Sequence, residues 1–454
     1  MRVALCYPPT RAVTVMPPLG IGYLASAAAD LGVQADVYDL ARRHIRPRDL
    51  PIRLARGDYQ VIGISVNTPN YPLALQLVQA IKRQNPRAII VLGGPHASVF
   101  IEESLRDFGA DYLFEKEADL SFPLFLRALT RKEEPLGQVP GVYALREGKL
   151  CGLPAALSPI DLDQLPWPAW EKMEPHLYPP IPHQLFVRRL PVAPLLTSRG
   201  CPYNCSFCAT SFLFGQNIRL RRPRSVVDEM RFLRDRFGIR EIHFEDDNPT
   251  CNRTHAAALH EEIIAANLGI LLKYPNGLML SSLDRELLTL IKRAGCYQIS
   301  LGIETTSKSA MHHEKKFISY AEIRQTVQLA KEIGLEVQGL FIVGLPYETE
   351  EDFHTTVRNA IDMDLDLAHF GVFVPLPGSK QGTIFAAPDI RTINFFTPYM
   401  SYPHISPHKL KAMQRWAILK FYLRPRPIRK LLSMFKWRQF FGVLNVFRKY
   451  VLGF

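Results

Sequence analysis

Four short apolar runs, "RVALCY" (2–7), "ADVYDL" (35–40), "VIGISV" (61–66) and "AIIVLGG" (88–94), are separated by segments of helical spacing. Runs this short and this apolar read as strands buried on both faces. Residues 72–84 place Leu73, Leu77 and Ile81 on one helical face, and 19–31 carries a similar pattern. Strands that alternate with helices need crossover connections, which constrains residues 1–135 to an α/β, doubly wound parallel sheet. The strand ends run into "PPLG", "NTPNYP" and "GGPH". Ligands of such sheets bind outside the carboxyl ends of the strands.

A second alternation occupies 191–385. Its expected strands are 192–197, 240–245, 270–274, 296–303, 335–343 and 368–374, with helices at 225–237, 254–267, 283–294, 319–333 and 349–364. Six strands with crossover helices predict a partial barrel, its site again at the carboxyl ends. The intervening residues 136–190, with "LPWPAW" and "LYPPIPH", read as a proline-rich linker or a strap over a neighbouring domain.

The chain of 454 residues exceeds one ordinary core, and its 47% hydrophobic and 22% charged residues are those of a globular protein. It holds no run of apolar residues long enough for a membrane-spanning helix. The start, "MRVALCYPPT", reads as a first strand rather than a signal segment. Seven cysteines at irregular spacing argue against a disulfide framework and for a reducing cytoplasm. The net charge of +12 is concentrated: from Arg391 to Phe454 there are 13 Lys or Arg and no acid, leaving 42 basic against 43 acidic residues before it.

Three of the seven cysteines, Cys201, Cys205 and Cys208, fall within "TSRGCPYNCSFC". Gly200 and Pro202 keep this segment a loop, and it follows the first barrel strand. Closely spaced thiolates on one loop suit an iron–sulfur cluster. Zinc is the rival, but it asks for four ligands, and His183 and Cys251 are not an obvious fourth.

The C-x3-C-x2-C pattern with Phe207 before the last cysteine resembles the signature of the radical S-adenosylmethionine (SAM) superfamily. The resemblance implies a [4Fe–4S] cluster on Cys201, Cys205 and Cys208 whose open iron binds SAM, and reductive cleavage to a 5′-deoxyadenosyl radical. It also implies a (β/α)6 barrel, in agreement with the alternation, and an external one-electron reductant such as flavodoxin or ferredoxin. "HFEDDNPT" (243–250) resembles F-x-D-D-x-F, which puts Asp246 and Asp247 near the cluster and SAM; the alternative is an acidic turn capping a helix. "ISLGIETTS" (299–307) resembles G-I-E-S, with Glu304 as a hydrogen-bonding residue for the cofactor. "FIVGLPYETEED" (341–352) resembles G-x-P-x-E-T, with Gly344 and Pro346 turning beneath the adenine; Thr349 and Glu351 there fit a helix start equally well.

"PPLGIGYLASAAADLGVQADVYDL" (17–40) and "AIIVLGGPHAS" (88–98) look like the cobalamin-binding domain that precedes many such enzymes. The resemblance implies cobalamin contacts from Leu19, Gly20, Ser65, Gly93, Gly94, Pro95, His96 and Glu117. The D-x-H-x-x-G motif is absent, and the family's G-E-G-E is replaced by "FEKEAD" (114–119), where Glu115 or Glu117 would approach the ligand. His96 has the alternative of packing or bonding locally. The family resemblance covers 1–385 and implies C-methylation of an unactivated carbon of a lipid, tetrapyrrole or other secondary metabolite. Oxidative cyclisation or ring rearrangement is the alternative within the cofactor class. Transfer RNA methylthiolation is a remote alternative, because the first domain offers only Cys6 for a second cluster.

The basic end, 386–454, is expected to be helical. Its mixture of Lys and Arg with Trp, Phe and Leu fits three roles: contact with the inner face of a membrane, RNA binding, or a helical cap on the barrel. A small-molecule substrate is expected and a nucleic-acid partner is not.

Overall fold

The computed structural model describes all residues except 10–14, 41, 43–46, 156–159, 182–186, 315, 317, 386–388, 390–404, 441–443, 445–447 and 449–454. His183 and Arg391 therefore lie outside the described residues. The chain divides into two compact units, Met1–Pro179 and Pro180–Phe454.

In the first unit, β1 (Arg2–Tyr7), β2 (Gln34–Asp39), β3 (Val61–Ser65), β4 (Ile89–Gly93) and β5 (Tyr112–Phe114) are parallel. The antiparallel β6 (Val142–Arg146) and β7 (Lys149–Gly152) extend the sheet to the order β2-β1-β3-β4-β5-β6-β7. The unit's helices are α1 (Leu19–Ala29), α2 (Leu50–Arg56), α3 (Tyr71–Gln84), α4 (Pro95–Val99), α5 (Ile101–Phe108), α6 (Ser121–Thr130) and α7 (Trp170–Met173). Alternation explains the apolar runs. Ile62, Ile64, Ile90 and Leu92 join one core with Leu54, Val78 and Leu105, while Val3, Leu5, Val61 and Val91 join the other with Ala25 and Phe125. Each strand is apolar on both faces because each face carries helices.

The proline-rich reading of 136–190 needs correction. The β6–β7 hairpin is part of the sheet, and α7 lies within the first compact unit. Glu147 (φ +51°) and Gly148 (φ +76°) form its turn, the double positive φ of a two-residue hairpin. The "EG" pair was the available signal.

The second unit begins with β8 (Val192–Leu195) and a ribbon of β9 (Ser198–Arg199) with β10 (Arg219–Leu220). Next come β11 (Glu241–Phe244), β12 (Leu271–Leu278), β13 (Cys296–Glu304), β14 (Glu336–Val343) and β15 (Leu367–Val372). With β8 they form a six-stranded parallel sheet ordered β15-β14-β13-β12-β11-β8, consecutive in sequence as a (β/α) barrel requires. The helices are α8 (Thr210–Phe214), α9 (Pro223–Phe237), α10 (Arg253–Ala266), α11 (Arg285–Arg293), α12 (Lys308–His313), α13 (Tyr320–Glu332), α14 (Glu350–Asp362), α15 (Lys380–Ile384), α16 (Pro407–Tyr422) and α17 (Pro425–Met434). Asn252, Asp284, Ser307, Ser319 and Thr349 start α10 to α14 by accepting a hydrogen bond from the backbone N–H three residues on. α16 covers β15, where Gln414 Nε2 donates to the Phe370 carbonyl at 2.7 Å.

Candidate active site

The three cysteines sit on the loop between the ribbon strands, at the carboxyl end of β8. None is paired in a disulfide, and each is half-buried. Burial raises the Cys201 thiol and lifts Cys205 to about 11, opposed at Cys205 by the Lys316 ammonium. Three unpaired, half-buried thiols on one loop suit a metal centre. Among the described residues no three Cys, His, Asp or Glu converge as ligands of a single ion.

The loop is fastened from three sides. The Ser206 hydroxyl donates to Glu314 at the end of α12, and Gln381 of α15 donates from Nε2 to Ser206 Oγ at 2.9 Å and from its backbone N–H to the Ser206 carbonyl at 2.9 Å. Thr210 takes a 3.3 Å contact from Cys208 Sγ and donates at 2.9 Å to Asp247 Oδ1. Phe207 packs against the cluster of Ala310, Leu345 and Phe373.

Asp246 and Asp247 diverge, as neighbours at a strand end do. Asp246 is buried and accepts from Thr197 N–H (2.9 Å), Thr197 Oγ1 (2.7 Å) and Ser198 Oγ (2.6 Å). Burial pushes its carboxyl up to about 6 against these donors. It pins the strand that leads into the cysteine loop, while half-buried Asp247 carries the link to Cys208.

Glu304 closes β13 with φ +63°, a conformation rarely held without compensation. Compensation comes from Lys316, whose Nζ donates to Glu304 Oε1 at 2.8 Å and to the Gly302 carbonyl at 2.6 Å. At the end of β14, Gly344 has φ +82°, and a Cβ there would strike Leu410 of α16. Pro346 is buried behind the same turn. Glu348, the acid of the G-x-P-x-E-T match, accepts from Thr305 Oγ1 at 2.7 Å and Gly344 N–H at 3.2 Å, and burial lifts it to about 7. It ties the β13 and β14 loops together. Thr349 caps α14 in a reciprocal box with Asp352, and exposed Glu351 accepts from Arg358, so both belong to the helix start. Sequence reasoning missed Lys316, Thr210, Glu314, Gln381 and Glu348. Only Glu348 had a signal, as the fifth residue of a motif already identified.

The barrel's inner face is polar. Phe244 and Tyr274 pack together at 5.1 Å, and the Tyr274 hydroxyl donates at 2.7 Å to His260 of α10, so these side chains face outward. The alternate residues Glu241, His243, Glu245 and Lys273 then face inward. Burial lowers Lys273 to about 8 despite the Glu241, Glu336 and Glu245 carboxylates. Nearer the strand ends, Asn276 Nδ2 donates to Glu245 Oε2 at 3.4 Å.

The first unit offers a different kind of site at its own strand ends. Gly94 (φ +96°) lets the β4 turn pass β3; a Cβ would lie 2.8 Å from the Val66 carbonyl, beside Ser65. Gly20, at the start of α1 after Leu19, has nothing within 4 Å of a built Cβ, and Gly93 has only Phe114 at 4.0 Å. Pro95 is exposed at the first position of α4. These bare positions fit a flat ring lying on backbone. Glu117 is half-buried nearby in the chain, whereas Glu115 accepts from Ala155 N–H at 2.9 Å and so holds the strap. The His96 side chain goes inward: it is 1% exposed, lies between Tyr71 and Phe100, and bonds Thr68 through Nδ1 at 3.1 Å. Packing is the role the structure gives it.

Residues 195–360 match the model of the radical SAM superfamily, and residues 10–126 match that of the B12 binding domain. An uncharacterized methyltransferase of Pyrococcus horikoshii is 27% identical, over 95% of this chain and 94% of the relative. Cytidylyl-2-hydroxyethylphosphonate methyltransferase of Streptomyces wedmorensis is 28% identical, over 80% and 76%. The solved cobalamin-dependent S-adenosylmethionine radical enzyme OxsB shares the fold, with a TM-score of 0.73 at 15% identity over 98% of this chain and 72% of that one. The chain belongs to the cobalamin-dependent radical SAM enzymes. Its cofactors are a [4Fe–4S] cluster, SAM and cobalamin.

Proposed function

We propose that this enzyme replaces hydrogen by a methyl group on an unactivated carbon of a small molecule bearing polar groups beside that carbon. The observation that carries this reading is that the three-thiol loop, Asp247 and the Glu304–Lys316 pair all lie at the carboxyl ends of the barrel strands. Cys201, Cys205 and Cys208 hold the cluster, and Phe207, Asp246, Asp247, Glu304, Gly344 and Pro346 shape the SAM site. Leu19, Gly20, Ser65, Gly93, Gly94 and Pro95 form the cobalamin edge with Glu117, and His96 supports it from within through Thr68. When bound, these groups supply one-electron cleavage of SAM and a carrier for the methyl group. The chain's own part is positional. The Thr210 backbone N–H orients Cys208 Sγ while Asp247 holds the Thr210 hydroxyl; Gln381 and Glu314 fix the loop through Ser206, and Lys316 holds Glu304 in its strained conformation.

Substrate contacts come from the inner barrel face, where half-buried Glu245 and Asn276 stand above Gln298 and Gln338. Hydrogen-bonding walls reject a ligand that cannot pair with them. Among lipids, tetrapyrroles and other secondary metabolites, this supports a tetrapyrrole or another polar metabolite over a bare hydrocarbon.

The test is anaerobic turnover of the reconstituted enzyme with methyl-deuterated SAM, a reductant and a panel of tetrapyrroles and polar metabolites. The expected result is matched formation of 5′-deoxyadenosine and S-adenosylhomocysteine, with a deuterated product heavier than substrate by one methyl-for-hydrogen exchange. 5′-Deoxyadenosine with a cyclised, unmethylated product would replace methyl transfer by cyclisation. Methylation of apolar lipids alone would refute the substrate reading.

A further inference from the structure

The two carboxyl-end helices are built in opposite senses. α16 is a cap: it buries Leu410, Met413, Gln414, Ala417 and Phe421, and Tyr422 Oη both donates to and accepts from the Ala368 backbone. α17 buries only Pro427 and Met434. Two of its cations, Arg426 and Lys430, point at the barrel's acids, and Lys436 beyond its end meets a backbone carbonyl. Lys430 Nζ lies 2.6 Å from Glu336, Arg426 pairs with Asp364 and Asp366, and Lys436 Nζ donates to the Arg188 carbonyl at 2.6 Å.

That leaves an apolar outer face. Ile428, Arg429 and Leu432 share one side of α17, and Leu432 is 69% exposed. Leu423 before the helix is 70% exposed and Trp437 after it 80%. A surface helix ordinarily turns its apolar side inward. Large apolar groups collected on an outer face mark an interaction surface. The surrounding segment limits the partner: from residue 390 to the end there is no acid against 13 Lys or Arg, and although Lys409, Arg426 and Lys430 pair with barrel acids, Arg429 stays exposed on the outer face.

We propose that α17 and its flanking turns are a docking surface for an anionic lipid bilayer, independent of the methyl-transfer reading. Leu423, Ile428, Leu432 and Trp437 enter the interface, and Arg429 meets the headgroups. The outer face is chiefly aliphatic, which suits acyl chains better than the aromatic stacking that single-stranded nucleic acid uses. No helix among the described residues is long and apolar enough to cross a membrane, so the contact lies at the surface.

The experiment is flotation of the full chain with phosphatidylglycerol-containing vesicles, with phosphatidylcholine vesicles as control. Wild type floats with the anionic vesicles, and less so as salt rises. The double variant Leu432→Glu/Trp437→Glu is expected to lose at least about tenfold in binding, and Arg429→Glu about fivefold. Melting of both variants should match wild type, because the altered side chains are exposed. Flotation that is absent, equal on neutral vesicles or unchanged in the double variant would overturn the proposal. So would a wild-type dimer, or RNA binding, that the double variant abolishes while flotation persists.

Discussion

The two units use one secondary-structure alphabet to make opposite interiors. The first sheet is sandwiched between two apolar cores, and its ligand edge is glycine and backbone. The barrel's inner strand face instead holds Glu241, His243, Lys273 and Glu336, all buried. A wide, flat ligand needs close approach over a large area, which bare backbone provides. Cleavage of one bond in a small cofactor needs a few side chains held in fixed places. The difference between the units follows from that difference in task.

The largest effect that would sharpen this contrast comes from the barrel interior. Lys273→Met removes the buried ammonium that interacts with Glu241, Glu245 and Glu336, of which Glu336 keeps Lys430 and Arg188. It should lower the barrel's unfolding free energy by about 3–5 kcal/mol in denaturant titration, with the first unit's transition unmoved. An unaffected barrel would mean that the inner charges are not mutually dependent.

The next effect is pH-dependent and touches both units. Burial lowers His96 and His260 to about 4. A histidine depressed in the folded state leaves stability intact above its unfolded value near 6.5 and removes it as pH falls toward 4. The apoprotein should lose on the order of 3 kcal/mol per histidine across that window, followed by denaturant midpoint. His96→Phe should flatten the curve for the first unit only.

Gly94→Ala attacks the backbone edge. Positive φ together with the approach to the Val66 carbonyl should cost about 2 kcal/mol. Equilibrium dialysis should show weaker cobalamin retention with iron content unchanged. The smallest effect is at Thr349: Thr349→Ala should remove about 1 kcal/mol by loss of the α14 cap, with SAM affinity preserved.

Legibility in the sequence followed the same division. Strand and helix periodicity located β8 and β11 to β15 because each outer strand face is a clean apolar series. The cysteine loop, Asp247 and Glu304 stood out because their chemistry is tied to residue type. Lys316 did not, since nothing in "HEKKF" marks which lysine bends back to Glu304 across 12 residues. Gln381 acts on Ser206 across 175 residues, a contact that only the folded chain makes. The β6–β7 hairpin was obscured by the prolines around it. His96 sits at the ligand edge in sequence and points into the core in space, because α4 turns it between Tyr71 and Phe100.

The most direct measurement is iron and cobalt content per chain after anaerobic reconstitution with cobalamin, for wild type beside Cys201→Ala. Two separately built sites predict about four irons and about one cobalt in wild type, with iron lost and cobalt retained in the variant. Zinc in place of iron, or a wild-type protein that takes up iron but no cobalamin, would contradict the account.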